Sequence, residues 1–387
     1  MIPYGRQEIT DDDISEVKKV LRSDFLTQGP IVPKFEKAVA DYCNSLHAVA
    51  VNSATSALHI ACLALDLGPG DWLWTSPNTF VATANCSLYC GAKVDFVDID
   101  PDTYNMSVTS LASKLAIAEK KGLLPKIVIP VHLAGQPCDM IAIHKLSKQY
   151  GFKIIEDASH AIGASYNQIK VGSSTHSDIT VFSFHPVKII TTGEGGMALT
   201  NDKIIANRLL NLRNSGNTKN KLFMKPRPED EIWNYQQIEL GFNYRMTDIQ
   251  AALGLSQLKR LDQFIIKRRK IAKRYDLELD NLQLKLPHQL SKSYSSYHLY
   301  PICIQEMKSK TTQQLMYNIL RKSGIEVNLH YAPVYLQPYY QEMGFKRGYC
   351  PNAEIYFKSA ISIPIFAGLS YENQSKIIEI ISNECMK

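Results

Sequence analysis

The sequence predicts an α/β protein, with a mostly parallel central sheet followed by a smaller C-terminal α+β domain. Three observations predict it. Between residues 46 and 200, short β-branched and apolar runs alternate with helix-length stretches, which is the pattern of a sheet covered on both faces. Toward the C-terminus a second, shorter set of strand-like and helical patterns follows. The chain has 387 residues, 45% of them apolar and 21% charged, enough to bury a large core or to divide in two.

In chain order, Thr10 opens a helix whose apolar residues Ile14, Val17, Val20 and Leu21 fall at helical spacing. Phe35, Ala38, Val39 and Tyr42 mark a second helix after Pro33. The runs HAVAV, DWLWT, KVDFVDI, KIVIPVHL, FKIIE and DITVFSF then read as strands. Residues 218–232 (TKNKLFMKPRPEDEI) are polar, charged and broken by two prolines, so they read as a long loop of the kind that often carries function. A long helix is expected from about Thr247 toward Asp280, with the domain boundary inside it. This divides the chain into a large domain over 1–265 and a small one over 266–387. In the small domain HLYPICI and IEVNLHY read as strands, TTQQLMYNILRKSG as a helix, and a last helix is expected from about Ser370 to Cys385.

Composition narrows the function. The first residues, MIPYGRQEITDDDI, carry no basic stretch ahead of an apolar run, and no uncharged apolar segment of 18 residues occurs; a cytoplasmic protein is expected, without signal peptide or membrane span. Cys43, Cys62, Cys86, Cys90, Cys138, Cys303, Cys350 and Cys385 are scattered, with no CxxC pair, which argues against a zinc site or a disulfide framework. The net charge of +6 favours a small anionic ligand, while the dispersal of the basic residues argues against nucleic acid. Neither a Walker phosphate loop nor a GxGxxG fingerprint follows any of the strands.

Ligands of open α/β sheets sit outside the carboxyl ends of the strands, and three such ends carry polar residues. After HAVAV come Asn52, Ser53, Ala54, Thr55 and Ser56, small residues leading into a helix. Such a start can hold an anion on its backbone N–H groups; taken alone it reads first as a capped helix. After FKIIE comes Asp157, either a turn-capping carboxylate or a buried charge in need of a partner. One fitting partner is the protonated pyridine nitrogen of pyridoxal phosphate (PLP), which a carboxylate keeps charged. After DITVF come Ser183, His185 and Lys188. A lysine amid apolar residues is either a snorkelling side chain or one whose burial makes it neutral and nucleophilic, as a Schiff-base lysine must be. The order of a phosphate-type helix start, the aromatic opening at Phe80, then Asp, Ser and Lys points to a PLP site.

At these residues the sequence resembles the fold-type I sugar aminotransferases of the DegT/DnrJ family, over nearly the whole chain. The resemblance rests on FLTQGP (25–30), NSATSALH (52–59), TFVATANC (79–86), EDASHAIGA (156–164), VFSFHPVKIITTGEGG (181–196), GFNYRMTDIQAALGLSQL (241–258) and NLHYAPVY (328–335). It implies that Lys188 carries PLP, that Asp157 pairs with the pyridinium nitrogen, that Ala54, Thr55 and Ser183 hold the phosphate, and that Phe80 stacks on the ring. His160 stands where most members have Gln, and could donate to the cofactor's 3-oxygen. Asn243 matches an asparagine that the family supplies to the phosphate from a neighbouring subunit, implying a homodimer with shared sites, and Arg245 matches a polar contact near substrate.

NSATSAL and SHAIG depart from the commoner family forms, and with FLTQGP and Tyr4 they look like the pseudaminic-acid branch. That likeness implies a UDP-linked 4-keto-6-deoxy-N-acetyl-hexosamine aminated at C4 by L-glutamate, without a metal. Tyr4, Leu26, Thr27, His330 and Tyr331 match positions lining the substrate pocket; core packing at a domain interface is the other reading of these aromatics. The alternatives are another nucleotide-linked 4-keto or 3-keto sugar, and a non-enzymatic sensor of the same fold.

Overall fold

The computed structural model describes residues 1–228, 230–231, 235–305 and 311–386. Helix α1 (Asp11–Leu21) opens at Thr10, whose N–H donates to the Asp13 carboxylate at 3.0 Å in a capping box. Helix α2 (Ile31–Cys43) starts ahead of Pro33 rather than after it. Pro33 fits in the first turn because its missing N–H is not needed there, and the Asp248 carboxylate accepts the N–H groups of Ile31 and Val32, each at 2.8 Å.

The alternating region follows as β1 (His47–Val51), α3 (Ala54–Ala64), β2 (Trp72–Thr75), α4 (Ala82–Tyr89), β3 (Lys93–Phe96), α5 (Val108–Lys121), β4 (Ile127–Ile129), α6 (Met140–Tyr150) and β5 (Lys153–Asp157). Next come a short hairpin of β6 (Ser165–Tyr166) and β7 (Ile169–Lys170), then β8 (Ile179–Ser183), β9 (Gly196–Thr200) and α7 (Lys203–Arg213). Among the described residues, the central sheet has the order β1-β9-β8-β5-β4-β2-β3. All its strands share one direction except β9, which runs antiparallel to both β1 and β8. The six expected runs are β1, β2, β3, β4, β5 and β8. The sequence reading missed β9, because its first residue belongs to the glycine-rich GEGG, which reads as a turn.

The long loop bridges β10 (Asn217–Thr218) and β11 (Gln236–Gln237), which pair with each other; its residues 229 and 232–234 lie outside the described ones. The single helix expected from Thr247 toward Asp280 is two, α8 (Asp248–Leu258) and α9 (Leu261–Leu279). The break has a tertiary cause at Arg260, whose backbone leaves the helical region (φ −108, ψ 4). Its guanidinium donates to Asp13 at 2.5 Å, and Asp13 is only 1% exposed, so its charge requires that partner.

The C-terminal part contains β12 (Leu284–Lys285), β13 (Ser293–Tyr294), β14 (Tyr300–Ile304), α10 (Gln313–Lys322), α11 (Pro338–Glu342), α12 (Pro351–Ser359), β15 (Ala360–Ile363) and α13 (Tyr371–Cys385). Strand β14 pairs antiparallel with β12 and β15. IEVNLHY is not a strand: it makes only single bridges, Ile2 to Ile325 and Asn328 to Ser362. Tyr4 likewise lies in irregular chain. The first turns of α9 bury Leu261, Phe264 and Ile265 in a cluster with Phe35, Phe182 and Met197, and its later turns bury Ile271, Ala272, Tyr275 and Leu279 in a separate cluster with Tyr300, Ile302 and Ile377. Val334, Tyr335, Tyr340 and Tyr356 pack back into the core around α3 and β2. All cysteines but Cys385 are buried. Among the described residues no helix is long and apolar enough to cross a membrane.

A buried polar group braces the centre of the sheet. Glu156 accepts from His132 Nε2 at 2.8 Å, from Ser177 at 2.5 Å and from Thr180 at 3.0 Å, while His132 Nδ1 accepts the Cys138 N–H at 3.1 Å. Burial pushes the Glu156 carboxyl up, but His132, Ser177 and Thr180 outweigh it and leave it below its usual value of 4.5. A depressed carboxyl adds stability above its unfolded value and loses it as pH falls. Glu156→Gln is therefore expected to cost about 2 kcal/mol at pH 7 and to flatten the decline of the urea midpoint as pH falls below about 5. A variant with wild-type acid dependence would contradict this role.

Candidate active site

The carboxyl ends of β1, β5 and β8 open onto one cavity of about 600 Å³, which α3 and α4 enter with their N-termini. At the first end, Ser53 caps α3 by accepting the Ser56 N–H at 3.1 Å. The capped-helix reading is thus correct, and it leaves the first N–H groups of the helix without intrahelical partners. Ala54 and Thr55 line the cavity at this point. Strand β9 crosses so close beneath that a Cβ on Gly196 would lie 2.5 Å from the Ala54 nitrogen and the Ser53 carbonyl. Gly196→Ala is therefore expected to displace the first turn of α3 and weaken PLP binding about tenfold or more, about 1.4 kcal/mol per decade. Titration of the cofactor-free protein measures this, and an unchanged Kd would contradict it.

Asp157 ends β5 and is 4% exposed. One carboxylate oxygen accepts from the Thr83 hydroxyl at 2.7 Å, the other from the Ser159 N–H at 3.1 Å. Thr79 lies 2.8 Å from Thr83 on the same face of the α4 opening. Ser183 ends β8, and Lys188 follows it in the loop before β9. Both line the cavity. Burial lowers the Lys188 ammonium from 10.5 to about 8, with Asp157 opposing the shift. Phe80 lines the cavity yet is 57% exposed, an apolar ring left available for a ligand to cover.

The remaining wall comes from the segments around His160 and His330. Ala134 N–H donates to His160 Nδ1 at 3.3 Å, so Nε2 carries the ring hydrogen; the Tyr331 hydroxyl lies 3.3 Å from that Nε2. Burial, with Lys188 and His330 alongside, holds His160 well below the usual imidazole value. Burial also lowers His330 to about 3, with Lys188 adding to the effect, and raises Tyr331. His330 Nδ1 sits 2.9 Å from the Ser362 hydroxyl, and its ring lies 5.5 Å from that of Tyr4, which lines the cavity too.

Four expected site residues do not line this chain's cavity. Leu26 and Thr27 are exposed, with Thr27 bridged to Thr247. Asn243 is exposed and bridged to Asn214; Arg245 donates to the Asn214 side chain at 2.8 Å and lines a second cavity of about 400 Å³ with Gln28 and Arg213. Two residues escaped the sequence reading. Thr83 carried no local signal, since its bond to Asp157 spans 74 positions. His298, which also lines the cavity, carried none.

These residues fit pyridoxal phosphate. A helix start has room for a phosphate, a buried carboxylate is oriented by two donors, a half-buried amine is depressed toward neutrality, and an aromatic face is uncovered. The class of protein follows: the chain belongs to the DegT/DnrJ/EryC1/StrS aminotransferase family, which it matches over residues 7–382, and it is a PLP-dependent aminotransferase of fold type I.

Among particular relatives, it is 39% identical over 367 residues to the UDP-4-amino-4,6-dideoxy-N-acetyl-beta-L-altrosamine transaminase of Campylobacter jejuni strain 81-176, covering 94% of this chain and 92% of that one. It is 37% identical to the spore coat polysaccharide biosynthesis protein SpsC of Bacillus subtilis strain 168, covering 98% and 96%. Among solved structures it resembles Helicobacter pylori PseC, an aminotransferase involved in the biosynthesis of pseudoaminic acid. The TM-score is 0.89 at 32% identity, covering 99% of this chain and 98% of that one. It also resembles the PLP form of Streptococcus pneumoniae Spr1654, with a TM-score of 0.88 at 30% identity, covering 100% and 98%.

Proposed function

We propose that this enzyme transfers the amino group of L-glutamate to C4 of a UDP-linked 4-keto-6-deoxy-N-acetyl-hexosamine. The product is UDP-4-amino-4,6-dideoxy-N-acetyl-β-L-altrosamine, on the route to pseudaminic acid, and the enzyme works as a cytoplasmic homodimer. The observation that carries the chemistry is the Lys188 amine, half-buried in one cavity with the Asp157 carboxylate and the start of α3. The choice of sugar is supported by the likeness to the Campylobacter transaminase and to PseC.

Bound here, the cofactor supplies an electron sink that lets an amino group leave one carbon and join another. Lys188 Nζ holds it and, once released, moves the proton off the α-carbon of glutamate, a task suited to an amine that is half neutral near pH 8. Thr83 and Ser159 orient the Asp157 carboxylate, which would pair with the pyridine nitrogen. Ala54, Thr55 and Ser183 hold the phosphate, and Phe80 covers the ring. His160 Nε2–H lies 3.3 Å from the Tyr331 hydroxyl and would donate to the cofactor's 3-oxygen. Tyr4, His330 and Tyr331 form the aromatic wall for the sugar. Asn243 and Arg245, together with Leu26 and Thr27, lie away from their own chain's cavity and would complete the partner's.

The test is incubation with L-glutamate and a panel of UDP- and dTDP-linked 4-keto and 3-keto sugars, with the amino sugar identified by mass spectrometry and NMR. The altrosamine product is expected. Preferential amination of another sugar, or at C3, would overturn the assignment.

A further inference from the structure

One buried polar side chain of the cavity has no part in the steps above. Thr79, Thr83, Asp157, His160, Ser183 and His330 line the cavity from buried positions, and each has a hydrogen-bond partner. His298 lines it at 4% exposure, and among the described residues its ring makes no hydrogen bond. An unpaired buried imidazole carries a desolvation cost, which a ligand in the cavity would relieve.

A second observation gives the sign of that ligand. Arg268 of α9, 2% exposed, lies behind the same segment and donates to the carbonyls of Tyr297 and His298 at 3.2 Å each and of Ile365 at 2.9 Å. Its Nε has no partner, and among the described residues it forms no ion pair. Burial alone lowers the guanidinium, from 12.5 to about 10, so it remains charged at neutral pH. A buried cation without a counterion is costly, and an anion held in the adjoining cavity would offset that cost. Among the described residues no arginine lines the cavity, and its one lysine, Lys188, is taken up by the cofactor. L-Glutamate nevertheless has to bring two carboxylates into it.

The His298 ring is placed to meet one of them. It packs against His160 with centroids 4.4 Å apart, and the Ser296 hydroxyl ties its segment to the His160 carbonyl at 2.8 Å. Burial, with His160, Lys188, Arg268 and His330 alongside, keeps a second proton off the ring, which leaves one N–H to give. A hydrogen bond from that N–H to an ionised group is of the stronger kind.

We propose that His298 is the residue that binds the amino donor: its N–H donates to a carboxylate of L-glutamate, with the unpaired Arg268 behind it supplying the countercharge. The UDP-linked keto-sugar has no carboxylate, so His298 sets the affinity for the donor and leaves that for the nucleotide alone.

This inference rests on L-glutamate being the donor, which the wild-type half-reaction tests by itself. The probe for His298 is glutarate, which has both carboxylates and no amine, titrated by calorimetry into the PLP-loaded wild type, His298→Phe and His298→Asn. The phenylalanine variant keeps a ring and loses the N–H. It is expected to bind glutarate about tenfold more weakly or worse, and to need more glutamate by the same factor for half-maximal rate, with a limiting rate within about threefold of the wild type. The asparagine variant, which retains a donor, is expected to recover part of the loss. UDP is expected to bind all three alike. If the phenylalanine variant does not fold, His298→Leu takes its place. A variant without the donor that binds glutarate as tightly as the wild type has lost a merely structural group and overturns the proposal. So does an equal loss for glutarate and UDP, which marks damage to the whole cavity. A wild type that does not react with glutamate overturns the donor reading itself, and the proposal with it.

Discussion

Lys188→Ala is expected to slow amino transfer from L-glutamate by about 10³-fold or more, while the protein stays folded and still binds PLP. The rate falls because no other amine lines the cavity among the described residues. Binding persists because Asp157, Ser183 and the start of α3 remain in place. Burial is what suits the lysine to its task, since it brings the amine from 10.5 to about 8. An ordinary surface lysine would be almost wholly protonated at neutral pH and unable to accept a proton. Single-turnover mixing of the loaded variant with glutamate reads the effect through the cofactor's absorbance. A rate within tenfold of the wild type would mean that another group moves the proton.

Asp157→Asn is expected to lower the same half-reaction on the order of 10²-fold, the scale seen when one aligned electrostatic partner is lost from a closed site. The substitution preserves shape and removes the charge. The new amide can still accept from Thr83, but its NH₂ then confronts the Ser159 N–H now bound at 3.1 Å. A modest loss of PLP affinity is therefore expected beside the loss of rate. Thr83→Val, which retains the charge and removes only one orienting donor, is expected to cost about tenfold. An Asn variant as fast as the wild type would show that the carboxylate does not govern the pyridine nitrogen.

The parts of the fold that could be read from the chain are those written locally. Strands β1 to β5 and β8 are short, largely buried runs, with β3 buried on one face only, and Thr10 and Thr247 announce their helices through capping boxes. Features set by distant partners were not legible. The break between α8 and α9 depends on Asp13, 247 positions before Arg260, and the early start of α2 depends on Asp248. The extended look of residues 325–331 is real in side-chain alternation, with Ile325 and Val327 buried, but among the described residues it meets β15 only at the single Asn328–Ser362 bridge and Ile2 at Ile325, too little for a ladder.

The site divides in the same way. Asp157 and Ser183 are the last residues of β5 and β8, and Lys188 follows in the next loop, at the carboxyl ends where chemistry is expected from topology alone. His298 lines the cavity on a segment that Arg268 ties to α9 and Ser296 ties to His160, contacts that no spacing announces. Leu26, Thr27, Asn243 and Arg245 were named by family likeness, and a single chain does not bring them to its own cavity.

The account turns on Lys188 as the residue that carries the cofactor. Reduction of the PLP-loaded enzyme with borohydride, followed by proteolysis and peptide mass spectrometry, tests it directly. A phosphopyridoxyl group on the peptide containing Lys188 is the expected result. The same group on any other lysine, or no stable adduct in an enzyme that turns over, would contradict it.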